Sequence, residues 1–146
     1  MVADNKYGFG PHLLLDLYDC PGDKLADVGF IFDLLDTFPA RIGTTKISQP
    51  YVFRYKGKNE KEWGVSGVVL IAESHISIHT FPEKQHAFVD IFSSRDFDTD
   101  AASRMLIEAL GAKRHEASVH SRGMAHVPEM LADPKMALAG SHRTFH

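Results

Sequence analysis

Residues 66–83 read Ser66-Gly67-Val68-Val69-Leu70-Ile71-Ala72-Glu73-Ser74-His75-Ile76-Ser77-Ile78-His79-Thr80-Phe81-Pro82-Glu83, and their pattern decides the fold. Apolar and β-branched residues flank Glu73-Ser74-His75, which predicts one strand over about 65–72 and another over 76–80. Hydroxyls, two imidazoles and two carboxylates are interleaved with this run. Buried polar groups cost free energy unless paired, so their concentration in a core-like segment points to function. Side chains five residues apart on one continuous strand face opposite ways. Ser74 and His79 are five apart, so they meet only if the chain reverses or kinks around residues 73–75, which would put a strained peptide bond at the bend. Ser66, eight residues before Ser74, shares its parity. A hydroxyl beside its own preceding carbonyl, with an imidazole and a second hydroxyl in reach, is the equipment for an internal N-to-O acyl shift.

Outward from this hairpin, His12-Leu13-Leu14-Leu15-Asp16-Leu17-Tyr18 reads as a buried strand ended by the turn Asp19-Cys20-Pro21-Gly22. Asp23 can cap a helix with Leu25, Val28, Phe32, Leu35 and Phe38 at helical spacing, halted by Pro39. Residues 44–55 favour extension, and the polar stretch 56–61, with Gly57 and Asn59, suits an exposed hairpin loop. Beyond the turn Pro82-Glu83-Lys84-Gln85 a further strand is expected over 87–93. Asp98 or Thr99 can cap a helix carrying Ala102, Met105, Leu106, Ala109 and Leu110, stopped by Gly111, with a last strand near 116–120. The order predicts an α+β two-layer sandwich: an antiparallel sheet with two helices on one face, its other face needing a cover. Residues 1–123 form the expected single domain. Residues 124–146 form a C-terminal tail with, at most, a short helix near Met136.

The 146 residues carry 16 Lys and Arg against 19 Asp and Glu, a net charge of −3, with 44% hydrophobic residues. A chain of this size supports one core. The near-neutral balance, without runs of like charge, gives no electrostatic reason to expect nucleic acid or a membrane surface as partner. No apolar stretch approaches a membrane span and residues 1–10 lack the pattern of a signal peptide, so a cytoplasmic protein is expected. Cys20 is the only cysteine, which leaves no internal disulfide and no thiolate cluster. His75 with His79, or His115 with His120, lacks a matched set of further ligands, and no metal is expected.

Glu73-Ser74-His75-Ile76-Ser77-Ile78-His79-Thr80-Phe81-Pro82-Glu83, followed by Ala87-Phe88-Val89-Asp90-Ile91-Phe92, resembles the signature of the short, prokaryotic-type S-adenosylmethionine decarboxylase proenzymes. The likeness extends more loosely from Gly10 to about Gly123. It implies a self-processing, pyruvoyl-dependent lyase of polyamine biosynthesis that converts S-adenosylmethionine to its decarboxylated form for spermidine synthesis. It further implies cleavage between Glu73 and Ser74: the hydroxyl of Ser74 attacks the Glu73 carbonyl, and β-elimination with loss of ammonia turns Ser74 into a pyruvoyl group. That ketone forms a Schiff base with the substrate amine and takes up the electrons as CO2 departs. By the same resemblance His79 assists processing, Ser66 helps the ester intermediate proceed, and Glu83 contacts the ribose hydroxyls. Phe53, Trp63 and Phe81 are candidates for stacking on adenine. A homodimer is implied, with the sheet packed against a second subunit and active sites at the interface.

The sequence departs from the family at one position. Twenty residues after the pyruvoyl serine the family usually carries a cysteine that protonates the substrate's α-carbon, and here that position is Ser94. A thiol titrates near pH 8.5, whereas an aliphatic hydroxyl is a far weaker acid. Three explanations stand: a replaced donor with slow turnover, a different donor such as His79 or water, or a change of substrate or loss of activity. Pyruvoyl-dependent decarboxylases of arginine or ornithine share the fold, and a non-catalytic regulatory homologue is the remaining alternative.

Overall fold

The computed structural model describes residues 8–125, so the expected helix near Met136 lies outside the described residues. Six strands form one antiparallel sheet: β1 (Gly10–Tyr18), β2 (Tyr51–Lys56), β3 (Trp63–Ile71), β4 (Ser74–Phe81), β5 (His86–Phe92) and β6 (Arg114–Arg122), in the spatial order β2-β3-β4-β5-β1-β6. Three helices complete the described residues: α1 (Gly22–Leu25), α2 (Val28–Arg41) and α3 (Thr99–Leu110).

Register makes the sheet two-faced. Leu13 pairs with Ile91 and Ile91 with Ile76, while Ile76 pairs with Val69, so alternate residues of four neighbouring strands fall on one side. They form one buried cluster with Ile31, Leu35 and Phe38 of α2 and with Ala102, Leu106 and Leu110 of α3. Each large side chain so buried contributes roughly 1.5–3 kcal/mol by leaving water. The expected α+β layering with helices on one face is what the chain adopts.

The first helical segment differs from expectation. The chain breaks at residues 26–27, leaving a four-residue α1, and it is Asp27 rather than Asp23 that caps the long helix, its carboxylate accepting from the Phe30 N–H at 3.0 Å. Pro39 does not halt α2; it lies within the last turn, buried with Phe38. Its missing N–H removes only one bond near the helix end. The extended region 44–55 likewise contains a strand only from Tyr51, preceded by a single bridge from Lys46 to Ile71. α3 follows the sequence reading, capped by Asp98 through the Ala101 N–H at 2.9 Å and closed by Gly111 at φ 68°.

Thr80 is the polar pin of the core. It is 2% exposed, donates to the Leu25 carbonyl at 2.7 Å and accepts from the Val65 N–H at 3.0 Å. This ties α1 to the β3–β4 pair. Thr80→Val strands a buried donor and acceptor, and chemical denaturation should show a loss of about 1–3 kcal/mol.

Among the described residues no element covers the second face of the sheet, which is bare in that sense. Tyr51, Phe53, Tyr55 and Leu70 remain 48–70% exposed on or beside the β2 edge.

Candidate active site

β3 and β4 form a hairpin whose turn is only Ala72-Glu73, because Ile71 pairs directly with Ser74. Glu73 takes φ 66°, a left-handed conformation that costs a residue with a Cβ about 1 kcal/mol or more. The strain expected at the reversal thus falls on the residue immediately before Ser74.

Ser74 opens β4, and its Oγ accepts from the backbone N–H of Ser94 at 2.8 Å. The Ser94 hydroxyl in turn donates to Oε1 of Glu73 at 3.2 Å. Ser94 is brought here by β5, whose last residue Phe92 pairs with His75. The loop after β5 is fixed against β1: Ser93 donates its N–H to the Pro11 carbonyl at 3.2 Å, and a Cβ on Gly10 would stand 1.8 Å from the Ser93 carbonyl oxygen. Glycine at position 10 is what lets β1 run so close.

The reversal brings Ser66, not Ser74, to His79. These two are register partners, and Ser66 Oγ lies 2.9 Å from His79 Nδ1. Ser74 and His79 sit on the same uninterrupted strand, five residues or about 16 Å apart and with opposite parity. The Ser66–His79 pair instead lines an open depression of about 200 Å³ on the bare face, together with Tyr51, Phe53, Val68 and Ser77. Glu83 lies in the exposed turn between β4 and β5, at the far end of β4 from Ser74.

Among the aromatic candidates, Phe53 lines the depression with Tyr51, their rings 5.7 Å apart. Phe81 packs on Phe88 at 5.5 Å. Trp63 has the parity of buried Val65 and Val69, on the helix side, and carries Arg54 over its ring at 4.3 Å.

A polar network that the sequence reading left unassembled lies on the bare face. His12 Nε2 is 3.3 Å from Asp90 Oδ1, and Arg122 Nη1 is 3.1 Å from His12 Nδ1. A guanidinium only donates, so Nδ1 is the acceptor and Nε2–H donates to Asp90. The His75 ring stands edge-on to His12 at 6.3 Å and against Phe92 at 6.1 Å. Alternation of His12 and Asp90 with apolar neighbours was a visible signal, but only the β1–β5–β4 order joins them to His75.

Burial, followed by the neighbouring His12, pushes the His75 pKa below its ordinary 6.5. A depressed value means that the folded protein prefers the neutral ring. The resulting stability is present above pH 6.5 and is lost as pH falls through the folded-state value. Between pH 7.5 and 5 the parent's thermal midpoint should drop further than that of His75→Asn.

Among the described residues no group of three or more His, Cys, Asp or Glu could hold a metal ion, and no helix is long and apolar enough to cross a membrane. Burial pushes the Cys20 thiol up to about 11, so it is not a ready acid or nucleophile.

Residues 11–123 match the family model for S-adenosylmethionine decarboxylase. The chain is 39% identical over 107 residues to the S-adenosylmethionine decarboxylase proenzyme of Prochlorococcus marinus, covering 73% of this chain and 81% of that protein. It is 36% identical over 121 residues to the proenzyme of the same name from Bacillus cytotoxicus, covering 82% and 88%. The crystal structure of the adenosylmethionine decarboxylase from Aquifex aeolicus superposes with a TM-score of 0.67 at 35% identity, covering 86% of this chain and 98% of that one. These likenesses place the protein among the decarboxylases. It belongs to the S-adenosylmethionine decarboxylase family.

Proposed function

We propose that this chain is a self-cleaving decarboxylase of S-adenosylmethionine, cut between Glu73 and Ser74, whose product serves spermidine synthesis. The observation that carries the reading is the Ser74 hydroxyl, placed just after the left-handed Glu73 and held by the Ser94 amide. Relatives named as proenzymes support it. In the cleavage, Ser74 Oγ bonds to the Glu73 carbonyl carbon, the C–N bond breaks and the nitrogen takes the hydroxyl proton, giving an ester. Removal of the Ser74 Cα proton then expels the Glu73 carboxylate. Water converts the resulting dehydroalanine, through its imine, to a pyruvoyl group and ammonia. That group supplies the electron sink for loss of CO2.

The processing roles of His79 and Ser66 rest on the resemblance, while their place in the depression puts them where a substrate could be held beside Phe53. A carboxylate at Glu83 suits a ribose diol, but one chain keeps it at the opposite end of β4. Two bare faces packed with their strands antiparallel would bring the β4–β5 turn of one copy toward the β3–β4 turn of its partner. We therefore assign the assembly as a homodimer with shared sites.

Denaturing mass spectrometry should find residues 1–73 and a blocked fragment 74–146. Release of CO2 is then measured with S-adenosylmethionine, arginine and ornithine supplied separately. A single intact chain after long incubation removes self-processing. Activity confined to arginine or ornithine replaces the substrate, and a cut chain inert toward all three favours a regulatory homologue.

A further inference from the structure

We infer that Ser94 acts in the cleavage itself, as a positioning residue whose side chain and amide bridge the two sides of the Glu73–Ser74 bond. This role is separate from protonating the substrate, and it rests on the self-cleaving reading. The Ser94 N–H meets Ser74 Oγ at 2.8 Å on one side of the bond, and the Ser94 hydroxyl meets the Glu73 carboxylate at 3.2 Å on the other. The bridge has a firm base. Ser93 is buried, its N–H is bonded to Pro11, and its hydroxyl accepts from the Arg95 N–H at 3.1 Å.

Each contact has a chemical use. As Ser74 Oγ bonds to the Glu73 carbonyl carbon, its proton leaves for the departing nitrogen and the carbonyl π pair moves onto the carbonyl oxygen. The fixed Ser94 N–H on Ser74 Oγ does not meet that charge; it holds the attacking oxygen in one orientation beside the carbonyl, so less freedom is lost on reaching the reacting geometry. The hydroxyl latch restricts Glu73, which must keep its φ of 66° while its carbonyl is attacked. A thiol at position 94 would retain the amide contact and weaken the latch, since S–H is a poor donor. Residue 94 therefore faces two demands: a hydroxyl suits cleavage, and a thiol suits the later protonation.

The test follows cleavage of freshly translated full-length chains by denaturing mass spectrometry. Ser94→Ala should cleave roughly five-fold more slowly than the parent, the effect of one hydrogen bond. Glu73→Ala should be equally slow, Glu73→Gln should stay within about two-fold because its carbonyl still accepts, and the double variant Ser94→Ala/Glu73→Ala should be no slower than either single one. In an uncleavable Ser74→Ala background, Ser94→Ala should leave the thermal midpoint in place, which separates positioning from a folding defect. Unchanged cleavage in Ser94→Ala, a Glu73→Gln variant as slow as Glu73→Ala, multiplying defects in the double variant, or a shifted midpoint overturns the latch. A parent that never cleaves overturns the self-cleaving reading and the latch with it. A parent that cleaves while its variants keep pace overturns the latch alone.

Discussion

Ser74→Ala should remain a single 16.3 kDa chain indefinitely and release no CO2 from S-adenosylmethionine. Under the proposed self-cleavage the substitution removes the atom that would attack the Glu73 carbonyl, and without the ester there would be no elimination and no ketone. Fold should be unaffected, because Ser74 Oγ accepts one hydrogen bond from the Ser94 amide at the sheet's end and fills no core position. Circular dichroism and a thermal midpoint within a few degrees of the parent would confirm that the loss is chemical. A Ser74→Ala chain that still splits in two would move the cleavage site elsewhere and dismantle the proposed function.

Ser94→Cys should raise turnover per cleaved chain by at least about ten-fold, a conservative share of what a matched general acid contributes. A thiol can give up a proton near neutrality, whereas the serine hydroxyl cannot. If Ser94 is the donor of the proposed pyruvoyl enzyme, the same change should also reduce misplaced protonation of the pyruvoyl carbon, which would leave an alanine-like start on the fragment beginning at residue 74. Both effects are read together: CO2 release normalised to cleaved protein, and the mass of that fragment after many turnovers. No gain in fully cleaved Ser94→Cys would show that another group, or water, already delivers the proton.

β1, β3, β5 and α3 could be read from sequence because their signals are local: apolar and β-branched runs in the three strands, the Asp98 cap and the Gly111 stop. The break between α1 and α2 escaped because Asp23 and Asp27 are equally good caps by composition, and packing of Ile31, Leu34 and Phe38 decides between them. In the site, the reversal before Ser74 was legible from the composition around residues 72–75. Its partners were not. Parity shows which residues cannot meet on one strand, but it does not reveal register across strands. Only the pairing of Ile71 with Ser74 sends Ser66 to His79, and only the approach of β5 brings Ser94 to both Glu73 and Ser74. The His12–Asp90–Arg122 network needed three strands from both ends of the chain.

The strand order carries a mechanical meaning for a chain severed between residues 73 and 74. The leading half would own β1, β2 and β3, and the trailing half β4, β5 and β6. β1 lies between β5 and β6, bonded to both along its length, while β3 stays bonded to β4 beside the cut. The two halves are interleaved like the fingers of clasped hands, so neither could leave without unzipping three ladders at once. Such a protein can sacrifice a covalent link to make its own reagent and still behave as one body.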